Sequence, residues 1–137
     1  MFENPDARAR CALLNGVRSI AVVGLSPNPA RPSYGVARAM RDYGFRIIPV
    51  HPAVREVLGE RAYASLAEVP PPIDLVNVFR RAEFIDGIVD DCLALGFRAL
   101  WIQEGVVNEA AAARARAGGM TVVMDRCIYR DYRDYCR

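Results

Sequence analysis

The chain has 137 residues, 53% hydrophobic and 25% charged, with a formal net charge of +2. That length and composition suit one domain, residues 1–137, with a core of its own and an N-terminal helix (1–17) packed on it. Near-balanced charge argues against a nucleic-acid partner, because such binders carry a basic face or stripe. No apolar run reaches the roughly 20 residues of a membrane span, and the charged Met1–Arg10 stretch lacks a secretory signal. The expectation is a cytoplasmic protein with no membrane partner.

The 18 basic residues are all arginine. The absence of lysine excludes a Schiff-base lysine, a pyridoxal phosphate anchor and a P-loop lysine. Any phosphate bound by this chain therefore meets guanidinium groups or backbone N–H. Four cysteines (Cys11, Cys92, Cys127 and Cys136) show no C-x-x-C spacing, and His51 is the single histidine. Neither a structural nor a catalytic metal is expected, and the thiols are expected to be reduced.

In chain order, Asn4-Pro5-Asp6 opens a helix with Asn4 as its cap, and Gly16 closes it. Ser19–Leu25 is an apolar run of the kind buried on both faces of a parallel sheet. A loop, Ser26–Pro32, leads into a helix over Tyr34–Tyr43 with Ser33 as its cap. Phe45–Val50 is the second strand, and a longer connection with a helical turn near Ser65–Glu68 reaches the third, Ile73–Phe79. Arg81–Leu95 carries an apolar stripe at helical spacing and stops at Gly96. Phe97–Gln103 is the fourth strand, and Asn108 caps an alanine-rich helix. Met120–Met124 is the fifth strand, with a short last helix over Tyr129–Tyr135. The alternation predicts an α/β fold: a doubly wound, parallel, five-stranded sheet in three layers, with helices on both faces. Ligands in such folds bind beyond the carboxyl ends of the strands, where strand order reverses.

Those strand ends carry the polar chemistry. Gly24, Leu25 and Ser26 begin a loop that ends in Arg31, Ser33 and Tyr34, where a helix N-terminus and hydroxyls could hold a phosphate. The dinucleotide fingerprint G-x-G-x-x-G is absent. The second strand ends in Val50-His51-Pro52, where an NAD site places an acid for the ribose. Phe79 and Arg80 offer a flat face and a guanidinium, and Gln103 offers an amide. Trp101 is read as core, and the acids Glu83, Asp86, Asp90 and Asp91 as a solvated helix face. Arg126 is a further candidate for binding the ligand, and it stands beside Cys127, which raises the alternative of thioester chemistry at that thiol with His51 as base. An NAD(P)- or other nucleotide-dependent enzyme is the other alternative, and an interaction module with a vestigial crevice a further one.

Taken together, Gly24-Leu25-Ser26 with Arg31-Pro32-Ser33-Tyr34, Pro49-Val50-His51-Pro52, Phe79-Arg80-Arg81-Ala82-Glu83, Trp101-Ile102-Gln103 with Gly105, and Met124-Asp125-Arg126-Cys127 resemble the small bacterial and archaeal CoA-binding proteins. That family is similar in fold to the CoA-binding domain of the succinyl-CoA synthetase alpha subunit. The resemblance runs from Arg18 to Tyr132 and implies a Rossmann-like domain holding coenzyme A or an acyl-CoA. It puts the diphosphate at Gly24–Tyr34 and the nucleotide along Val50, His51, Pro52, Phe79 and Arg80, with Gln103 close by. It implies a binding protein rather than an enzyme, with an acyl-CoA enzyme as a protein partner. His51 departs from the family, which commonly has asparagine there. Oligomeric state stays open.

Overall fold

The computed structural model describes residues 1–137. A five-stranded parallel sheet runs through the middle, built from β1 (Ser19–Val23), β2 (Arg46–Val50), β5 (Leu75–Val78), β6 (Ala99–Ile102) and β7 (Thr121–Met124), in the order β2-β1-β5-β6-β7. Helices α1 (Ala7–Asn15), α2 (Pro32–Asp42) and α5 (Ile128–Tyr135) cover one face, and α3 (Ile85–Leu95) and α4 (Glu109–Ala117) cover the other. This is the predicted doubly wound α/β fold in three layers. No helix is long and apolar enough to cross a membrane.

The strands are buried on both faces because side chains alternate along each. In β1, Ile20 and Val22 join Met40 and Ile128 in one core, while Ala21 and Val23 join Val89 and Ala111 in the other. Trp101 is fully buried, as expected, with its indole N–H donated to the Arg126 carbonyl at 2.8 Å. After β1 the chain crosses outward to β2, whereas after β5 it crosses the opposite way to β6. The reversal of strand order therefore falls between Val23 and Val78, and the two chains leaving there must diverge.

Several local expectations are corrected. Asn4 does not cap α1; Asp6 does, accepting from the Ala9 N–H at 2.8 Å. Asn4 instead bonds both the N–H and the carbonyl of Met124, each at 2.8 Å, and so closes the open edge of β7. Pro49 lies inside β2, which an edge strand allows because its outer N–H groups need no ladder partner. That edge is partly covered by Tyr63, whose N–H reaches the Pro49 carbonyl at 3.0 Å. A small hairpin, β3 (Glu56–Val57) with β4 (Glu60–Arg61), was not anticipated. Its two turn residues, Leu58 and Gly59, both have positive φ (56° and 75°). The matching turn signal is Asn-Gly or Asp-Gly, and leucine in the first position hides it.

The thiols are not all free. Cys11 of α1 and Cys136 just after α5 form a disulfide across 125 positions of sequence, with Cα atoms 5.2 Å apart. Spacing along the chain cannot reveal this pair, because it follows from the packing of the first helix on the last. The same corner buries Asp131, which accepts from Arg10 Nε at 2.8 Å and from Arg126 Nη2 at 2.8 Å.

Candidate functional site

The exits of β1, β5, β6 and β7 open into one cleft of about 680 Å³, lined by residues that include Gly24, Arg31, His51, Arg80, Gln103 and Cys127. That size falls within the ~300–1,000 Å³ usual for small-molecule sites. It sits at the carboxyl edge of the sheet, over the reversal of strand order.

Gly24 makes the cleft floor. Its φ of +85° is open to glycine, and a Cβ there would stand 2.5 Å from the Phe79 carbonyl oxygen and 2.9 Å from Arg80 Cδ. Only a hydrogen at this position lets the β1 exit pass so close beneath the β5 exit and the stem of Arg80. Its N–H is held by the Val50 carbonyl at 2.9 Å, which fixes where the loop begins.

The loop then folds on itself. The Ser26 N–H donates to Ser33 Oγ at 3.0 Å, the Asn28 N–H to Ser26 Oγ at 3.1 Å, and the Ala30 N–H to Asn28 Oδ1 at 2.9 Å. Ser33 is thus not the helix cap. It is the second residue of α2, is 4% exposed, and braces the loop from within the helix. The capping position belongs to Arg31, which supplies no side-chain acceptor, so the positive end of α2 stays open toward the cleft. Both serine oxygens already accept, and their hydroxyl protons remain free to donate outward.

Charge in the cleft is one-sided. Arg31, Arg80, Arg81 and Arg130 line it against a single carboxylate, Glu104. Arg80 and Arg81 flank the Phe84 ring, at 4.1 and 5.5 Å, and Arg81 also pairs with Glu83 at 3.1 Å. Arg130 pairs with Glu104, and Cys127 and Glu104 beside it hold its guanidinium above the ordinary value. Arg31 and Arg80 have no carboxylate partner. Nδ1 of His51 accepts from the Ala53 N–H at 3.1 Å, so the neutral ring carries its proton on Nε2.

Of the residues singled out from the sequence, Gly24, Ser26, Arg31, Ser33, His51, Phe79, Arg80 and Gln103 line this cleft. Five others do not. Leu25 is fully buried in the core beneath α2, and Tyr34 packs half-buried against the same core. Val50, 3% exposed, lines an adjoining hollow with Val23 and Leu66, and Arg80 borders both spaces. Pro52 lies at the rim of that hollow. Arg126 is turned away and committed to Asp131, whose hydrogen bonds hold its guanidinium above the ordinary value. Arg130 was missed, yet it lies three residues after Cys127 on α5, a spacing that puts the two on one helix face. The acids Glu83, Asp86, Asp90 and Asp91 are exposed outside this cleft, as expected, and Asp86 and Asp90 pair across that surface with Arg114 of α4.

Comparison with known proteins adds a family. The CoA binding domain model matches residues 18–133. The chain is 44% identical over 127 residues to the uncharacterized protein YneT of Bacillus subtilis (strain 168), covering 93% of this chain and 94% of that protein. It is 28% identical over 122 residues to the alpha subunit of the ADP-forming acetate–CoA ligase II of Pyrococcus furiosus. That match takes in 81% of this chain and 27% of the subunit, so the chain spans about a quarter of the ligase polypeptide. Among solved structures, a hypothetical protein from Pyrococcus horikoshii OT3 superposes with a TM-score of 0.92 at 27% identity, over 100% of both chains. The match across 18–133, together with the full-length likeness to YneT, makes this chain a member of the CoA-binding domain family.

Proposed function

We propose that the chain binds coenzyme A, free or acylated, through its nucleotide and diphosphate in the cleft at the carboxyl ends of the strands, and acts as a binding protein. The observation that carries this reading is the joint arrangement of an uncapped α2 N-terminus with two guanidiniums, Arg31 and Arg80, that lack a carboxylate partner. A diphosphate needs donors and positive charge held in place, and here both converge above Gly24. The 3′-phosphate of CoA adds an anion that the remaining arginines can meet. Phe79 gives the cleft an aromatic wall, and the adjoining hollow of Val23, Val50 and Leu66 offers apolar surface to the base.

His51 is a donor in this reading. With Nδ1 engaged by Ala53, Nε2–H faces outward in the neutral ring, as an asparagine amide N–H would. The same proton removes Nε2 as a general base, which weighs against a Cys127–His51 dyad. No acid stands at the β2 exit to take a ribose diol, which weighs against an NAD enzyme.

Isothermal titration of the purified chain with CoA, dephospho-CoA and NADP tests the proposal. The expected order is CoA tightest, dephospho-CoA weaker, and NADP without measurable heat. Absence of CoA binding, or NADP binding as tight as CoA, overturns it.

A further inference from the structure

Binding of the nucleotide and diphosphate leaves one corner of the cleft unexplained. Cys127 lines it, 7% exposed, at the cap position of α5. The other cysteines have evident structural places: Cys11 is bonded to Cys136, and Cys92 is fully buried in the α3 core, where burial and then Asp91 push its thiol up to about 12. Cys127 is the one thiol that meets the cleft.

Gln103 meets the same corner and is 6% exposed. Its Oε1 accepts from Asn77 Nδ2 at 3.2 Å and from the Ile128 N–H at 3.5 Å, while its NH2 group donates to nothing in the protein. The side chain is nine-tenths buried while this NH2 reaches the cleft, so it stands ready to donate to an acceptor on a ligand. Arg130, which lines the same cleft as Cys127, supplies a second donor. Reach agrees as well. Strand β7 lies three strand spacings from β1, about 14 Å at ~4.8 Å each. A phosphopantetheine arm extended from the Gly24 loop covers that span.

We infer that Cys127 is an acyl-acceptor site, loaded from an acyl-CoA held as proposed above; the inference rests on that reading. Cys127 Sγ bonds to the thioester carbonyl carbon, the carbon–sulfur bond to CoA breaks, and the thiol proton ends on the departing CoA sulfur. One thioester replaces another, so no oxidant, reductant or external energy source enters. Gln103 donates to the carbonyl oxygen as it gains negative charge, the role an oxyanion-hole donor fills. Loading is stoichiometric and reversible, and it follows the ratio of acyl-CoA to CoA.

The test is intact-protein mass spectrometry after incubation of the whole chain with acetyl-CoA, alongside calorimetry with the same ligand. The expected result is one acetyl group per chain, released by hydroxylamine and by excess CoA. It is absent in Cys127→Ser and retained in Cys92→Ser, with both variants checked for folding by thermal midpoint. Gln103→Met slows loading by at least about tenfold. Binding of acetyl-CoA with no adduct overturns the inference alone, as does an adduct that persists in Cys127→Ser. An adduct that is a dithiothreitol-sensitive CoA disulfide overturns it too. Failure to bind either CoA or acetyl-CoA overturns the reading of the cleft itself, and this inference with it.

Discussion

Two arginine-rich regions of this molecule contrast sharply. In the corner where α1 meets α5, Arg10 and Arg126 share one buried carboxylate, Asp131, and the spare Arg10 N–H reaches the Pro5 carbonyl at 2.7 Å. In the cleft, Arg31 and Arg80 have no carboxylate and stand beside a helix end without a side-chain cap. The residue type is the same, and the difference lies in what answers it. A charge with its counter-charge inside the fold contributes to holding the fold, whereas a charge without one is available to a ligand.

The largest effect should come from breaking the closed corner. Asp131 is 3% exposed and Arg10 is 7% exposed. Asp131→Ala leaves a buried guanidinium unpaired and is expected to cost about 3–5 kcal/mol of stability, read by urea denaturation. A cost under about 1 kcal/mol would mean that water reaches Arg10 and that the corner is not closed.

Gly24→Ala strikes the floor of the open cleft. The positive φ and the 2.5 Å approach to the Phe79 carbonyl predict a loss of about 3 kcal/mol. Because the intruding carbon also meets Arg80 Cδ at 2.9 Å, CoA affinity should fall with stability. Retained affinity in a folded variant would show that Arg80 is not held by this contact.

Arg31→Ala and Arg80→Ala sharpen the contrast from the open side. Each should weaken CoA binding by about 1–3 kcal/mol, roughly 5- to 150-fold, while the unfolding midpoint without ligand stays within about a degree of the parent. A large loss of stability with unchanged affinity would reverse the assignment of these arginines.

The smallest effect belongs to the opposite end of the sheet. There the Asp74 carboxylate accepts from the backbone N–H groups of Arg18 at 2.9 Å and Ser19 at 3.1 Å. The Arg18 hydrogen bond is the main reason its carboxyl lies below the usual value of 3.8. A lowered folded value means that the contribution is complete above the unfolded value near 3.8 and fades as pH falls through the lower folded value. Asp74→Asn should therefore cost about 1 kcal/mol at pH 7, with the difference from the parent vanishing in strong acid. A difference that persisted there would point to side-chain geometry rather than charge.

Much of this architecture was legible because apolar runs and helix stops are local signals. The five strands emerge within two residues at either end, and Asn108 caps α4, with its Oδ1 accepting from the Ala111 N–H at 3.0 Å. Eight of the thirteen residues singled out from the sequence share the cleft, because strand exits in a parallel sheet all point one way. The failures have a common cause. Asn4 had the identity of a cap but a better use 120 positions away, at Met124. Ser33 looked like a cap and braces the loop instead.

The sequence by itself determined the layer order and the exclusion of lysine chemistry, and it brought the polar candidates to the carboxyl edge of the sheet, since periodicity, turn residues and composition act over a few neighbouring positions. Tertiary structure alone decided that Cys11 meets Cys136, that Arg126 turns to Asp131 while Arg130 turns to the cleft, and that Gly24 must lack a Cβ. Those outcomes depend on which atoms distant segments bring within a few ångströms of each other, and pairing over such separations leaves no mark on local sequence.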